Sequence, residues 1–143
     1  MKFKDVSMVA RDTNRIAEFY KTVFGCDDIR PRKTLSGERI SRGNGVPDSE
    51  IYCAWLSLPG VDEAFLEIHQ HKNTIDRLTP LANEPGYGHL SFEVGDIQAT
   101  FAAVIKAGGE PLGEVTDLGT TEAPCLVIYM RDPEGNIVEL EQR

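Results

Sequence analysis

A chain of 143 residues, 41% hydrophobic and 27% charged, has the balance of an ordinary globular protein and the length for one compact unit or two small joined modules. Its formal net charge of −8 argues against nucleic acid and anionic membrane as partners. No apolar run is long enough for a transmembrane helix. Met1-Lys2-Phe3-Lys4 leads straight into a strand pattern rather than a signal peptide. Cys26, Cys53 and Cys125 lack metal-type spacing and read as free thiols, which points to a reducing, cytoplasmic setting.

The first predicted element is an alternating strand at residues 5–12, closed by Asp12 as a helix N-cap. Ile16, Phe19, Tyr20, Val23 and Phe24 then recur at i, i+3, i+4, i+7 and i+8, and Gly25 stops the helix. Residues 27–41 are expected to form a strand, a turn at Ser36-Gly37 and a second strand, followed by a loop over 42–48. Residues 51–58 form an apolar strand. Residues 65–71 close the first module, with Phe65, Glu67, His69 and His71 on one face and Leu66 and Ile68 on the other. Residues 72–87, marked by Pro80 and Pro85-Gly86, are a linker between a first module at 1–71 and a second at 88–143.

The second module repeats the plan. Leu90, Phe92 and Val94 alternate with His89, Ser91 and Glu93, and Asp96 caps a helix carrying Ile97, Phe101, Val104 and Ile105 up to Gly108-Gly109. A short strand at 110–115, a loop at 116–124 and an apolar strand at 125–131 follow. The turn at 132–136 contains Pro133 and Gly135, and the last strand at 137–141 turns Val138 and Leu140 inward and Glu139 outward. Superposing the modules sets Asp5 on His89, Ser7 on Ser91, Asp12 on Asp96 and Gly25 on Gly109. The fold class is therefore α+β: two βαβββ modules, expected to pair into a cup-shaped mixed sheet with helices outside. The cup would be lined by Asp5, Ser7, Glu67, His69, His71, His89, Ser91, Glu93, Glu139 and Glu141. So many ionisable groups on a covered face require pairing or a metal ion.

Charge is uneven. Arg30, Arg32, Lys33, Arg39 and Arg42 face one acid, Glu38, so residues 30–42 carry +4 and the remainder −12. Such a run is either a solvated surface or a guide for an anionic substrate group, with Arg39 and Arg42 as the expected substrate-binding bases.

Val9-Ala10-Arg11-Asp12 leading to Glu18-Phe19-Tyr20, then Phe65-Leu66-Glu67, Gly88-His89-Leu90-Ser91-Phe92 and the run from Tyr129 to Leu140 resemble the vicinal oxygen chelate superfamily across nearly the whole chain. That is the group of glyoxalase I, bleomycin-resistance proteins, methylmalonyl-CoA epimerase and extradiol dioxygenases. The resemblance implies one divalent metal ion held by Asp5, Glu67, His89 and Glu139, the first and last strand positions of each module. It also implies a homodimer and a small-molecule substrate. Relatives commonly have His where this chain has Asp5. Three carboxylates and one imidazole favour Mn²⁺, Fe²⁺ or Mg²⁺ over a soft site, with Ni²⁺ and Zn²⁺ as further candidates. His69 or His71 could supply a missing imidazole, or touch substrate.

Two functions of different class follow. One is a metal-dependent lyase or isomerase, glyoxalase- or epimerase-like, in which Glu139 or Glu67 moves a proton next to a carbonyl. The other is a metal-free binding protein of the bleomycin-resistance type, disfavoured by the few aromatics expected on the cup face. A ring-cleaving dioxygenase is a third, disfavoured by Asp5 because such sites use two His and one carboxylate.

Overall fold

The computed structural model describes residues 1–143 and consists of two compact units, Met1–Asp76 and Arg77–Arg143. The first contains β1 (Asp5–Val9), α1 (Thr13–Phe24), β2 (Lys33–Ser36), α2 (Glu38–Asn44), β3 (Glu50–Ser57) and β4 (Phe65–His71). Its sheet runs β1-β4-β3-β2, with β1 parallel to β4 and the other pairs antiparallel. The second contains β5 (Leu90–Glu93), α3 (Ile97–Lys106), β6 (Glu110–Pro111), β7 (Thr116–Asp117), β8 (Leu126–Arg131) and β9 (Ile137–Gln142). Its sheet runs β5-β9-β8-β6, and β7 also pairs with β8. Here β5 lies parallel to β9. With β6 and β7 counted as one interrupted strand, each unit is βαβββ, and the α+β class follows.

The caps fall where their chemistry puts them. Asp12 accepts from the Arg15 amide at 3.0 Å and Asp96 from the Ala99 amide at 2.9 Å, each satisfying an orphan donor of the first helical turn. Ile16, Ala17, Phe19, Tyr20 and Phe24 are buried, and α1 packs on β3 and β4. Burying each large side chain of this stripe contributes about 1.5–3 kcal/mol. The Thr13 amide donates to Gln70 Oε1, and Tyr52 donates to Asn14 Oδ1, so α1 covers the sheet face carrying Tyr52 and Gln70. By alternation, Ala54, Leu56, Leu66 and Ile68 share that face, and Trp55, Glu67 and His69 lie on the other.

The turn at 132–136 is organised by Asp132. Its carboxylate accepts from the amides of Glu134 and Asn136 and from Asn136 Nδ2, which launches β9.

Four expectations change. Residues 38–41 are helical, within α2, and not a second strand; the expected loop at 42–48 begins inside the same helix. The Glu38–Arg42 pair at i, i+4 and Gly45 at φ 74° mark this helix, but it buries no residue, so no apolar period announced it. The expected strand at 110–115 is only Glu110–Pro111. His89 precedes β5, which begins at Leu90. The glycine that leaves α3 in a left-handed conformation, as Gly25 leaves α1, is Gly108 (φ 92°) and not Gly109. Gly109 serves a different need: a Cβ there would lie 2.4 Å from the Arg131 carbonyl oxygen and 2.7 Å from Val104 Cγ1.

The second strand is interrupted in both units at corresponding places. In the first unit Asp28 bridges Leu56, the chain breaks, and β2 resumes opposite Cys53 at Lys33. In the second, Pro111 pairs with Met130, the chain breaks, and β7 resumes opposite Val127. By this register Asp28 corresponds to Pro111 and Arg30 to Gly113.

Candidate functional site

In the first unit the strand register sets Ser7, Glu67 and Trp55 in one row across β1, β4 and β3, and Val9, His69 and Cys53 in the next. Glu67 is held at both oxygens: Trp55 Nε1–H donates to Oε1, and His69 Nε2 lies 3.2 Å from Oε2. His69 Nδ1 in turn lies 3.5 Å from Ser7 Oγ. His71 stands edge-on to His69, with ring centroids 6.2 Å apart; burial first, then the neighbouring His69, pushes its pKa below the usual histidine value. Asp5 opens β1 opposite Phe65, one step along the same face from the Glu67 row. Trp55, Phe65, Cys53 and Ile51 form a buried cluster on this face, with Leu35 and Ile40 packed against it. Burial, then the charge of Glu67, pushes the Cys53 thiol up to about 11. That leaves it an inert packing group rather than a nucleophile.

The second unit repeats the row with different chemistry. Ser91, Glu139 and Tyr129 align across β5, β9 and β8. His89 Nε2 lies 3.0 Å from Glu139 Oε2, and its ring packs on Tyr129 with centroids 4.9 Å apart. Glu139 has that one partner, so Oε1 is unengaged. One row on, Glu93 pairs with Glu141, and Glu141 forms an ion pair with Arg143.

The sequence-predicted residues thus resolve into pairs. Glu67 and His69 meet in the first unit, and His89 and Glu139 meet in the second. Neither unit by itself gathers three or more His, Cys, Asp or Glu side chains in a metal-binding group. The five bases of residues 30–42 part ways. Arg32 binds Asp28, Glu18 and Asn14 at 2.8–3.0 Å on the α1 side, and these contacts hold the Asp28 carboxyl down at about 2. Arg39 and Arg42 are exposed on α2 rather than on a strand, Arg42 loosely paired with Glu38 at 3.9 Å. A pocket of about 500 Å³ beside α2 is lined by Ser36, Glu38, Asp48 and Glu50 among others, away from the Glu67 row. Lys33 lies opposite Cys53, and the Arg30 guanidinium lies over the Trp55 ring, 3.9 Å from its centroid.

Three residues on these faces were not in the sequence-level site: Trp55, Tyr129 and Arg30. The expectation of few aromatics facing the site is corrected, because Trp55, Phe65 and Tyr129 all stand on these faces. A signal existed. Once β3–β4 and β8–β9 are read as hairpins, Trp55 falls opposite Glu67 and Tyr129 opposite Glu139. Residues 51–58 are apolar on both faces, so composition alone hid the alternation.

Tandem βαβββ units, each carrying a carboxylate on its last strand, define the vicinal oxygen chelate class. The chain belongs to the glyoxalase-like domain family, whose family model matches residues 5–140. It is similar to human mitochondrial methylmalonyl-CoA epimerase, at 21% identity over 99% of this chain and 73% of that protein. Among solved structures it resembles a glyoxalase family protein from Bacillus cereus, with a TM-score of 0.87 and 22% identity over 99% of this chain and 93% of that one. It also resembles glyoxalase I from Zea mays, with a TM-score of 0.70 and 18% identity; it covers 44% of that longer chain. At these identities the structural matches establish the fold alone. No helix is long and apolar enough to cross a membrane.

Proposed function

We propose that this protein is a divalent-metal-dependent lyase or isomerase of the glyoxalase or epimerase kind, acting on a small oxygenated substrate. Asp5, Glu67, His89 and Glu139 are the ligand set, two donors from each unit. The donors fit a hard ion: three carboxylates and one imidazole, with no thiolate. His89 Nε2 and Glu139 Oε2, 3.0 Å apart, bring a nitrogen and an oxygen donor together, and these two residues would hold the ion from the second unit. Such an ion, when bound, polarises the substrate carbonyl and stabilises the negative charge that develops as the adjacent C–H proton leaves.

The observation that carries the assignment is the contrast between the two carboxylates. Glu67 is fixed by Trp55 at Oε1 and by His69 at Oε2, which suits a ligand that must not move. Glu139 keeps Oε1 unengaged, so that oxygen can take the proton and return it. The His89 ring is steadied by packing on the Tyr129 ring. His69 and His71 are the substrate-facing polar groups beside Glu67. A homodimer in the cytoplasm completes the reading.

The test uses methylmalonyl-CoA, the substrate named for the human relative, in deuterated solvent with Mn²⁺ present. The parent protein is expected to exchange the α-proton, and Glu139→Gln to slow exchange about 10²–10⁴-fold. If Glu67→Gln slows it and Glu139→Gln does not, the two roles are reversed. Exchange at the parent rate in both variants ends the proton-transfer reading.

A second reading has one observation behind it. Tyr129, half-buried beside His89, and Trp55 beneath Arg30 place aromatic rings at the site faces, which suits a metal-free binder of flat organic molecules. Absence of exchange together with absence of metal would select it.

A further inference from the structure

Arg30 sits where the second strand of the first unit is interrupted. The Ile29 amide donates to the Trp55 carbonyl at 2.9 Å, which pins the chain just before the break. Lys33 resumes the pairing opposite Cys53 just after it. The break lets Arg30 leave the sheet plane and lie on the site face, its guanidinium carbon 3.9 Å from the Trp55 ring centroid and 5.6 Å from that of Phe65.

This geometry separates Arg30 from the other arginine of the same segment. Arg32 spends its donors on Asp28, Glu18 and Asn14. Arg30 has no carboxylate or hydrogen-bond partner, although the chain carries 23 acidic residues against 15 lysines and arginines. Stacking occupies the face of a guanidinium and leaves its N–H edges directed outward, the arrangement that receives a planar oxyanion through two parallel hydrogen bonds. Lys4, also without an acidic partner, stands 5.2 Å from the Phe65 ring centroid. Lys33 pairs across the strands with Cys53, two residues along β3 from Trp55, so by alternation it shares the site face with Arg30.

We propose that Arg30, stacked on Trp55 and assisted by Lys4 and Lys33, is an anion-binding point for an oxyanion group, carboxylate or phosphate. The anion it receives is held one indole ring away from Glu67, because the same Trp55 donates its N–H to that carboxylate. Only the statement that this anion is part of the substrate rests on the proton-transfer reading. Arg30 lies on the Glu67 face, whereas Arg39 and Arg42, the bases expected to bind substrate, lie on α2. The second unit has Gly113 at the position corresponding to Arg30, so it carries no equivalent point.

The test is calorimetric titration of the full chain, treated with chelator, with malonate and separately with inorganic phosphate at low ionic strength. Omitting metal and turnover makes failure here distinguishable from failure of the exchange experiment. Trp55, the only tryptophan of the chain, reports binding at its own ring by fluorescence. At least one anion is expected to bind, with a change in tryptophan emission and an affinity that weakens as salt is added. The anion that binds more tightly names the source as carboxylate or phosphate. Arg30→Ala is expected to raise Kd about tenfold or more, Arg30→Lys to recover part of the loss, and Lys106→Ala, an equal change of charge on α3, to leave Kd unchanged. Thermal unfolding checks that the variants fold, and Arg30→Gln provides a second neutral variant. No binding of either anion, or binding that Arg30→Ala and Arg30→Gln leave at the parent Kd, would overturn the proposal.

Discussion

The two units share one frame and fill it differently. Both set a serine, a glutamate and an aromatic ring in a single row across three strands: Ser7, Glu67 and Trp55 in one, Ser91, Glu139 and Tyr129 in the other. In the first, the ring is an indole whose N–H ties down the carboxylate, and a histidine two residues along the same strand takes its second oxygen. In the second, the ring supports a histidine that arrives from outside the strand, and the glutamate keeps one oxygen unengaged. Backbone register alone would make Glu67 and Glu139 equivalent. Their partners distinguish them: Glu67 is engaged at both oxygens and Glu139 at one.

The contrast is most open to attack at the aromatic ring. Trp55→Ala removes a buried side chain and the donor to Glu67, and should cost about 3–5 kcal/mol in urea unfolding. Tyr129 is half-buried and its hydroxyl has no partner, so Tyr129→Ala should cost no more than about 2 kcal/mol. Equal costs would mean that the two rings do the same work and that the asymmetry of the rows is only apparent.

The helix ends offer a second comparison. Gly109→Ala drives a Cβ into the Arg131 carbonyl and should destabilise by about 1–3 kcal/mol, because backbone must shift. Gly25→Ala meets no atom within 4 Å and pays only for a left-handed conformation, about 1 kcal/mol. A Gly109→Ala protein as stable as Gly25→Ala would remove close approach as the reason for Gly109.

The smallest effect belongs to the first unit alone. Asp28 is held at about 2 by the Arg32 hydrogen bonds first, with Lys21 assisting. A carboxyl depressed in the folded state adds stability at pH above its unfolded value of 3.8, and that stability is lost as pH falls toward 2. Arg32→Ala should therefore lower stability by about 1 kcal/mol near neutrality, after discounting for solvent screening, and flatten the decline between pH 4 and 2. Urea unfolding across that range checks it; a decline as steep as the parent's would place the acid sensitivity elsewhere.

Much of this frame is legible in the chain. Alternation around Phe92 and Leu66, the Asp12 and Asp96 caps and the helix-1 stripe from Ile16 to Phe24 are local signals, and they located the strands that carry Glu67 and Glu139 and the strand that follows His89. The duplication added the pairing of the rows. What escaped has physical causes. Helix α2 buries nothing, so it has no apolar period. Trp55 lies in a strand apolar on both faces, and its bond to Glu67 is a cross-strand contact 12 residues away. Arg30 looked like one of five equivalent bases until the strand interruption separated it from Arg32.

Metal binding by the intact chain is the most direct test of the proposed chemistry. Elemental analysis of untreated protein, followed by calorimetric titration of chelator-treated protein with Mn²⁺, should find about one ion per chain. Occupancy at 100 times Kd should add about 2.7 kcal/mol to folded-state stability. Protein that carries no metal and gains no stability from Mn²⁺, Fe²⁺, Ni²⁺ or Zn²⁺ would contradict a metal-dependent lyase or isomerase and leave a binding protein.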